Sequence, residues 1–240
     1  MRAVTDSGMR RFWERRAAED AFYFVDNRLE YGAGDREAFW AQGERDLDVL
    51  LGNLGAAVSP EDAVVEIGCG VGRLTRVLAR RAGQVTAVDI SPRMLEIARH
   101  ENAELTNVEW LLGDGVSLAG IDSAAADACV SHVVFQHIPD PAVTLAYVRE
   151  IGRVLRPAGW AAFQFSNDPD VHRVRERSRG IGARLSRAAG RAPRGQDDPA
   201  WLGSSVALAD MRRAVEDGGM TIERVEGEGT QYCHMLTRRR

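Results

Sequence analysis

Apolar and polar positions change their rhythm along this chain of 240 residues. In "MRRFWERRAAEDAF" and "DREAFWAQGERDLDVLLGNL" the apolar side chains return every three or four positions, the spacing of two amphipathic helices. From Ala63 onward, short apolar runs alternate with helical stretches. "AVVEIG", "QVTAVD", "VEWLLG", "ADACVSHVVF" and "WAAFQFS" read as five strands. Between them the pattern predicts a helix over 71–81, stopped by Gly83, and a second in "SPRMLEIARHE". The second has Ser91 as its N-cap and Pro92 at its first position, and a third opens in the same way at Asp140-Pro141 and runs to about residue 155. A later helix, "SSVALADMRRAVEDGG", precedes two strands, "MTIERVEG" and "TQYCHMLTR".

Strands and helices alternating at this spacing form parallel βαβ units. The last two strands are joined only by "EGEGT", so they must form an antiparallel hairpin at one edge. The expected fold is an α/β, doubly wound, Rossmann-like sheet of seven strands, mostly parallel with an antiparallel C-terminal hairpin. An N-terminal helical cap spans 1–58, and the main domain spans 59–240. An insertion at 167–202 breaks the rhythm, with eight arginines against five acids, and reads as a lid or loop. The N-terminal stretch is dense in aromatics, among them Phe12, Trp13, Phe22, Tyr23, Phe24, Tyr31, Phe39 and Trp40. Most are expected to pack the cap onto the sheet. Tyr23 or Tyr31 could instead face a cationic ligand.

Composition narrows the chemistry. The formal net charge is -4, which does not suggest nucleic acid as a partner. Three cysteines, Cys69, Cys129 and Cys233, lie far apart without a CxxC, as in a reduced cytoplasmic protein. No apolar run reaches membrane-spanning length, and the first twenty residues lack the apolar core of a signal peptide. All 31 basic residues are arginine. Mechanisms that need a Schiff-base, P-loop or kinase lysine are therefore excluded. The Ala, Arg and Gly bias suggests a bacterial source with a GC-rich genome.

The candidate chemistry starts at "VVEIGCGVGRLT". Ligands of open α/β sheets bind at the carboxyl ends of the strands, where the loop with Gly68, Gly70 and Gly72 falls. A dinucleotide fingerprint would place its third glycine at position 73, which is Arg73. Glu66, just before the loop, disfavours a pyrophosphate and suits a ligand with an ammonium group. Asp89 ends the second strand, nineteen residues past Gly70, where an acid can accept from both ribose hydroxyls. Asp114, in the "GDG" of Gly113 to Gly115, could accept from an adenine amine. S-adenosylmethionine has all of these parts and no phosphate.

The constellation resembles the class I S-adenosylmethionine-dependent methyltransferases over residues 60–165, in "VEIGCGVGRLT", "VTAVDISPRML", "LLGDG" and "VLRPAGW". The resemblance implies that Gly68, Gly70 and Gly72 flank the methionine and ribose, and that Asp89 holds the ribose. It also implies that Ile90 and Met94 lie against the adenine, Asp114 and Gly115 at its edge, and Ser131 beside the methionine. Cys69 is read as loop filler and, like Gly113, lies among the cofactor-contacting positions. Of the two histidines in "SHVVFQHIPDP", His137 is the candidate base or acceptor-orienting residue, while His132 is expected to pack in the strand. The N/D-P-P-Y and Pro-Cys signatures of amino-directed and cytosine-directed enzymes are absent. Asp168 is the single acid placed for a catechol-type metal site, and no metal is expected. These features point to an O or N atom of a small-molecule acceptor. The alternatives are an RNA or protein methyltransferase using the arginine-rich insertion, or a binding module without turnover.

Overall fold

A computed structural model of the chain describes residues 6–172, 193 and 195–240. The rest of the arginine-rich insertion, 173–192 and 194, lies outside the described residues. Seven strands, β1 (Ala63–Ile67), β2 (Gln84–Asp89), β3 (Val108–Leu112), β4 (Ala126–Ser131), β5 (Leu155–Phe165), β6 (Met220–Glu226) and β7 (Cys233–Arg239), form one sheet in the order β3-β2-β1-β4-β5-β7-β6. β7 pairs antiparallel with both β5 and β6, and the remaining neighbours pair parallel. The chain winds outward from β1 through β2 to β3, then returns to lay β4 against the other side of β1. That reversal opens a crevice at the carboxyl ends of β1 and β4.

Helices cover both faces. Among the described residues they are α1 (Asp6–Val25), α2 (Arg36–Leu54), α3 (Thr75–Arg81), α4 (Pro92–Glu101), α5 (Pro141–Val154) and α6 (Leu208–Asp217), with short turns at Phe135–His137, Pro169–His172 and Pro199–Leu202. On one side Leu47, Leu50 and Leu54 of α2 share a core with Val77 and Leu78 of α3 and Val64 and Val85 of the sheet. On the other side Val148 and Ile151 of α5 meet Met211 and Ala214 of α6 over Phe163 and Met235. Burial of these side chains supplies the main driving force, about 1.5–3 kcal/mol for each large one. The cap drawn at 1–58 thus has two parts: α2 is seated on the sheet, and α1 crosses the strand ends. Among the described residues no helix is long and apolar enough to cross a membrane.

Local chemistry accounts for the element ends. Ser91 Oγ accepts from the Met94 N–H (3.1 Å) and Asp140 Oδ1 from the Ala142 N–H (2.9 Å), each ahead of a proline. α1 breaks at Asp20, which is extended (φ -163°), and whose carboxylate takes the Tyr23 and Gly32 N–H groups at 3.1 and 2.8 Å. Two of the boundaries that differ from the sequence reading have a local cause. α3 begins at Thr75 rather than 71, because Gly68, Gly70 and Gly72 sit at φ of +75°, +55° and +89° and keep the chain out of the helical region. β5 begins at Leu155, with the expected turn absorbed as an irregularity at Ala158 (φ +65°) opposite a register break in β4. A second irregularity separates Ile222 from Arg224 on β6.

Gly152, inside α5, faces α6 so closely that an added Cβ would overlap the Gly218 carbonyl oxygen. Alanine normally stabilises a helix interior by about 1 kcal/mol over glycine. Here Gly152→Ala is expected to destabilise by about 1–3 kcal/mol through overpacking, read as a fall in urea midpoint.

Candidate active site

The crevice opens into a cavity of about 730 Å³. One wall is the β1–α3 loop and the end of β2, with Glu66, Gly68, Cys69, Gly70, Asp89, Ile90 and Met94. The opposite wall comes from α2, the chain after β4 and the start of β7. Trp13, Phe24 and Trp201 close the space at one side.

Two carboxylates dominate the loop wall. Glu66 is 2% exposed, and its Oε2 accepts from the Thr75 hydroxyl at 2.5 Å. Burial pushes its carboxyl up to about 7 against the bond from Thr75 and the charge of Arg73. Asp89 accepts from the Gly70 N–H on one oxygen and the Ser91 N–H on the other, both at 2.9 Å. Burial raises its carboxyl too, and each oxygen keeps a lone pair for a further donor. The loop is tied down by Gly68 and Cys69, whose N–H groups donate to the Val88 carbonyl. Cys69 is a buried filler whose thiol is pushed well up by burial, so it carries no reactive thiolate.

Other expected ligands face elsewhere. Asp114 accepts from the Val116 and Ser117 N–H groups and the Ser117 hydroxyl, which makes it a turn residue outside the cavity lining, as are Gly113 and Gly115. Ser131 Oγ donates to the Ile67 carbonyl at 3.2 Å and is buried between β1 and β4. Gly72 packs on α4, where a Cβ would come within 2.7 Å of Asn102 Nδ2. A Cβ on Gly70 would meet Val25 of α1 at 2.7 Å. Tyr23 and Tyr31 pack on each other and do not line the cavity. Asp168 Oδ1 accepts from the Asp170 N–H in a turn.

His137 lines the cavity, and both of its ring nitrogens have partners within the chain. Its Nδ1 lies 2.8 Å from the Trp201 carbonyl, which can only accept, so Nδ1 carries the hydrogen. Nε2 then accepts from the Gln136 amide at 3.2 Å, and both nitrogens are engaged. Burial holds its pKa down to about 4.

Behind Gln136 stands Gln164 of β5, which the sequence reading missed. Its Nε2 donates to Gln136 Oε1 (2.9 Å) and to the Gln231 carbonyl (2.5 Å), and its Oε1 accepts from the Val133 N–H (3.0 Å). Gln164 is fully buried, and its one available signal was a polar residue inside the apolar run "WAAFQFS". Val133 sits at φ +58°, where a β-branched residue is a genuine outlier. A charged cluster was also missed. Arg28 donates to Asp26 and Asp46, and Arg73 pairs with Asp46.

The model of the methyltransferase domain family matches residues 65–163. Residues 65–163 carry a methyltransferase domain. Ubiquinone biosynthesis O-methyltransferase of Xanthomonas oryzae pv. oryzae is 30% identical over 141 residues, 58% of this chain and 56% of the relative. Malonyl-[acyl-carrier protein] O-methyltransferase of Serratia marcescens is 35% identical over 120 residues, 50% of this chain and 44% of its own length. The chain thus spans about half the length of the curated relatives it matches. Among solved structures, Haemonchus contortus phosphoethanolamine N-methyltransferase 1, in complex with phosphoethanolamine and S-adenosylhomocysteine, superposes at a TM-score of 0.70. It shares 19% identity, over 99% of this chain and 50% of that one. N-methyltransferase NodS of Bradyrhizobium japonicum superposes at 0.61 with 17% identity, over 97% and 98% of the two chains. At these identities the superpositions speak for the methyltransferase fold.

Two measurements test this site. Glu66 has a folded pKa above its unfolded value, so its stabilising contribution is full below pH about 4.5 and is lost as pH rises through about 7. Chemical denaturation should show wild type losing up to about 3 kcal/mol across that window, with the loss flattened in Glu66→Gln. Val133→Gly should relieve strain of about 1–3 kcal/mol, less about 0.5–1 kcal/mol of added chain entropy. A melting temperature unchanged or lowered would show that Val133 is not strained.

Proposed function

We propose that this protein transfers a methyl group from S-adenosylmethionine to an O or N atom of a small-molecule acceptor. The observation that carries the reading is the buried carboxylate of Glu66 and the half-buried one of Asp89, on either side of the glycine loop at the switch point of the sheet. A carboxylate held away from water is costly unless donors pair with its oxygens. Glu66 suits the ammonium and Asp89 the ribose hydroxyls, with Ile90 and Met94 as the apolar surface for the adenine. The residues around the crevice therefore fit the cofactor.

When bound, S-adenosylmethionine supplies an electrophilic methyl on a sulfonium. The chain's own work is then alignment and exclusion of water. Thr75 fixes Glu66, the Gly70 and Ser91 N–H groups fix Asp89, and Trp13, Phe24 and Trp201 cluster in the lining as apolar surface. The small-molecule reading draws support from a relative named for O-methylation in ubiquinone biosynthesis and from an N-methyltransferase neighbour in complex with phosphoethanolamine.

Calorimetry tests the cofactor half. Wild type should bind S-adenosylmethionine, and Asp89→Ala should weaken that binding by about 1.5–3 kcal/mol, the scale of a lost charged hydrogen bond. Equal affinity in a folded variant would place the ribose elsewhere.

A further inference from the structure

The acceptor wall has few polar groups left to offer. Its charges are matched internally: both Asp26 oxygens accept from Arg28, and Asp46 accepts from Arg28, Gln42 and Arg73. An acceptor with its own full charge finds no unmatched carboxylate in that cluster. Two imidazoles line the same cavity, His132 close enough to the cluster for Arg73, Asp46 and Arg28 to act on it. His132 follows the last residue of β4, and His234 is the second residue of β7. Both line the cavity, with ring centroids 6.1 Å apart and planes 15° from parallel.

The fold brings them together through β5, which runs between β4 and β7. Gln164 of β5 is the register partner of His234, and its amide oxygen holds the N–H of Val133, the residue after His132. The left-handed turn at Val133 sets the direction of the chain just past His132. Strain of this kind persists where the surroundings over-determine it, and it clusters at working sites. His132 Nδ1 is buried without a hydrogen-bond partner. A sealed ring nitrogen without a partner is costly, and native structures keep few of them. Val133, Val134, Val49 and Leu50 surround the pair with apolar surface, and Tyr232 adds an exposed ring at the mouth.

We propose that His132 and His234 form the acceptor subsite, that the group received there is the hydroxyl of a neutral phenol or enol, and that His132 takes its proton. This rests on the transferase reading above. Burial, and for His132 the charge of Arg73 after it, lowers both imidazoles, His132 to about 4. Both rings are therefore neutral near pH 7, each with a lone pair to accept a hydroxyl hydrogen. In the transfer, the hydroxyl oxygen forms a bond to the methyl carbon as the carbon–sulfur bond breaks. The sulfur keeps that electron pair and becomes a neutral thioether, and the hydroxyl proton moves to the His132 ring. A protonated amine would need a carboxylate there, and Asp26 and Asp46 are already committed.

The test uses the full chain with S-adenosylhomocysteine, and catechol, benzoate and tetramethylammonium as probes. Histidine C2–H resonances are followed by NMR. Catechol should shift His132 and His234 and leave the exposed His100 unmoved, while benzoate and tetramethylammonium shift neither. With S-adenosylmethionine the wild type should form the catechol methyl ether. His132→Asn should slow this by about 10²–10⁴-fold with cofactor affinity within twofold, and His234→Asn should mainly raise KM. His132→Gln and a melting temperature guard against a misfolded variant. Catechol that leaves both resonances still, or that binds without being methylated, overturns the proposal. So does a His132 variant that methylates at the wild-type rate. Failure to bind S-adenosylhomocysteine before any phenol is added is a separate result, and it fails the transferase reading itself.

Discussion

One amide holds the acceptor side of this molecule together. Gln164 sits in the middle of the sheet with no exposure to water, so its oxygen and both of its N–H groups need partners within the protein. It finds them on three separate pieces of chain: the Val133 N–H after β4, the Gln136 side chain one turn later, and the Gln231 carbonyl before β7. Gln136 passes the constraint to His137, and His137 to the turn at Trp201. A network of this kind fixes geometry well when every member is satisfied, and each loss is costly when one is removed. The walls of the cavity therefore stand in register because of one side chain that touches none of the proposed ligands.

The opposite wall is organised by a different constraint, the burial of negative charge. Glu66 and Asp89 would both be better solvated outside the fold. They are held in place by Thr75 and by two backbone N–H groups, with Arg73 nearby to moderate the field. The glycine loop is the device that makes this possible. Its left-handed backbone turns the Gly70 N–H onto Asp89 and leaves no side chain of its own in the way. α1 then lies across the top, where Arg10 donates to the Gly113 carbonyl and Glu14 accepts from the Ser91 hydroxyl and the Arg93 N–H.

Much of this was legible in the sequence because it is local. The caps at Ser91 and Asp140, the alternation of strand and helix, and the glycines with their flanking acids all declare themselves within a few residues of one another. The C-terminal hairpin was legible for the same reason. What could not be read was adjacency across the sheet. Nothing in "SHVVFQHIPDP" says that His132 will face His234, about a hundred positions away, because the meeting depends on β7 inserting beside β5. The same holds for Asp114, whose Asp-Gly pair fits an adenine contact and a turn equally well in one dimension; that its carboxylate takes the Ser117 hydroxyl shows only in three. His137 was the natural choice on position alone, and its contacts with Trp201 and Gln136 come from the fold around it.

The irregularity on β6 bears on how copies of this protein behave beside one another. β6 is an outer strand of the sheet and presents one side of its backbone to whatever approaches. Such an edge is a template for self-association when it is long, flat and apolar. Here the ladder is broken between Ile222 and Arg224, and the strand carries Glu223, Arg224 and Glu226. Arg224 also reaches back to donate to the Asn53 carbonyl, laying a charged side chain from the edge onto α2. A second chain that tried to add a strand would meet a bent partner and a row of hydrated charges. The interruption that looks like a flaw in the sheet thus guards against aggregation.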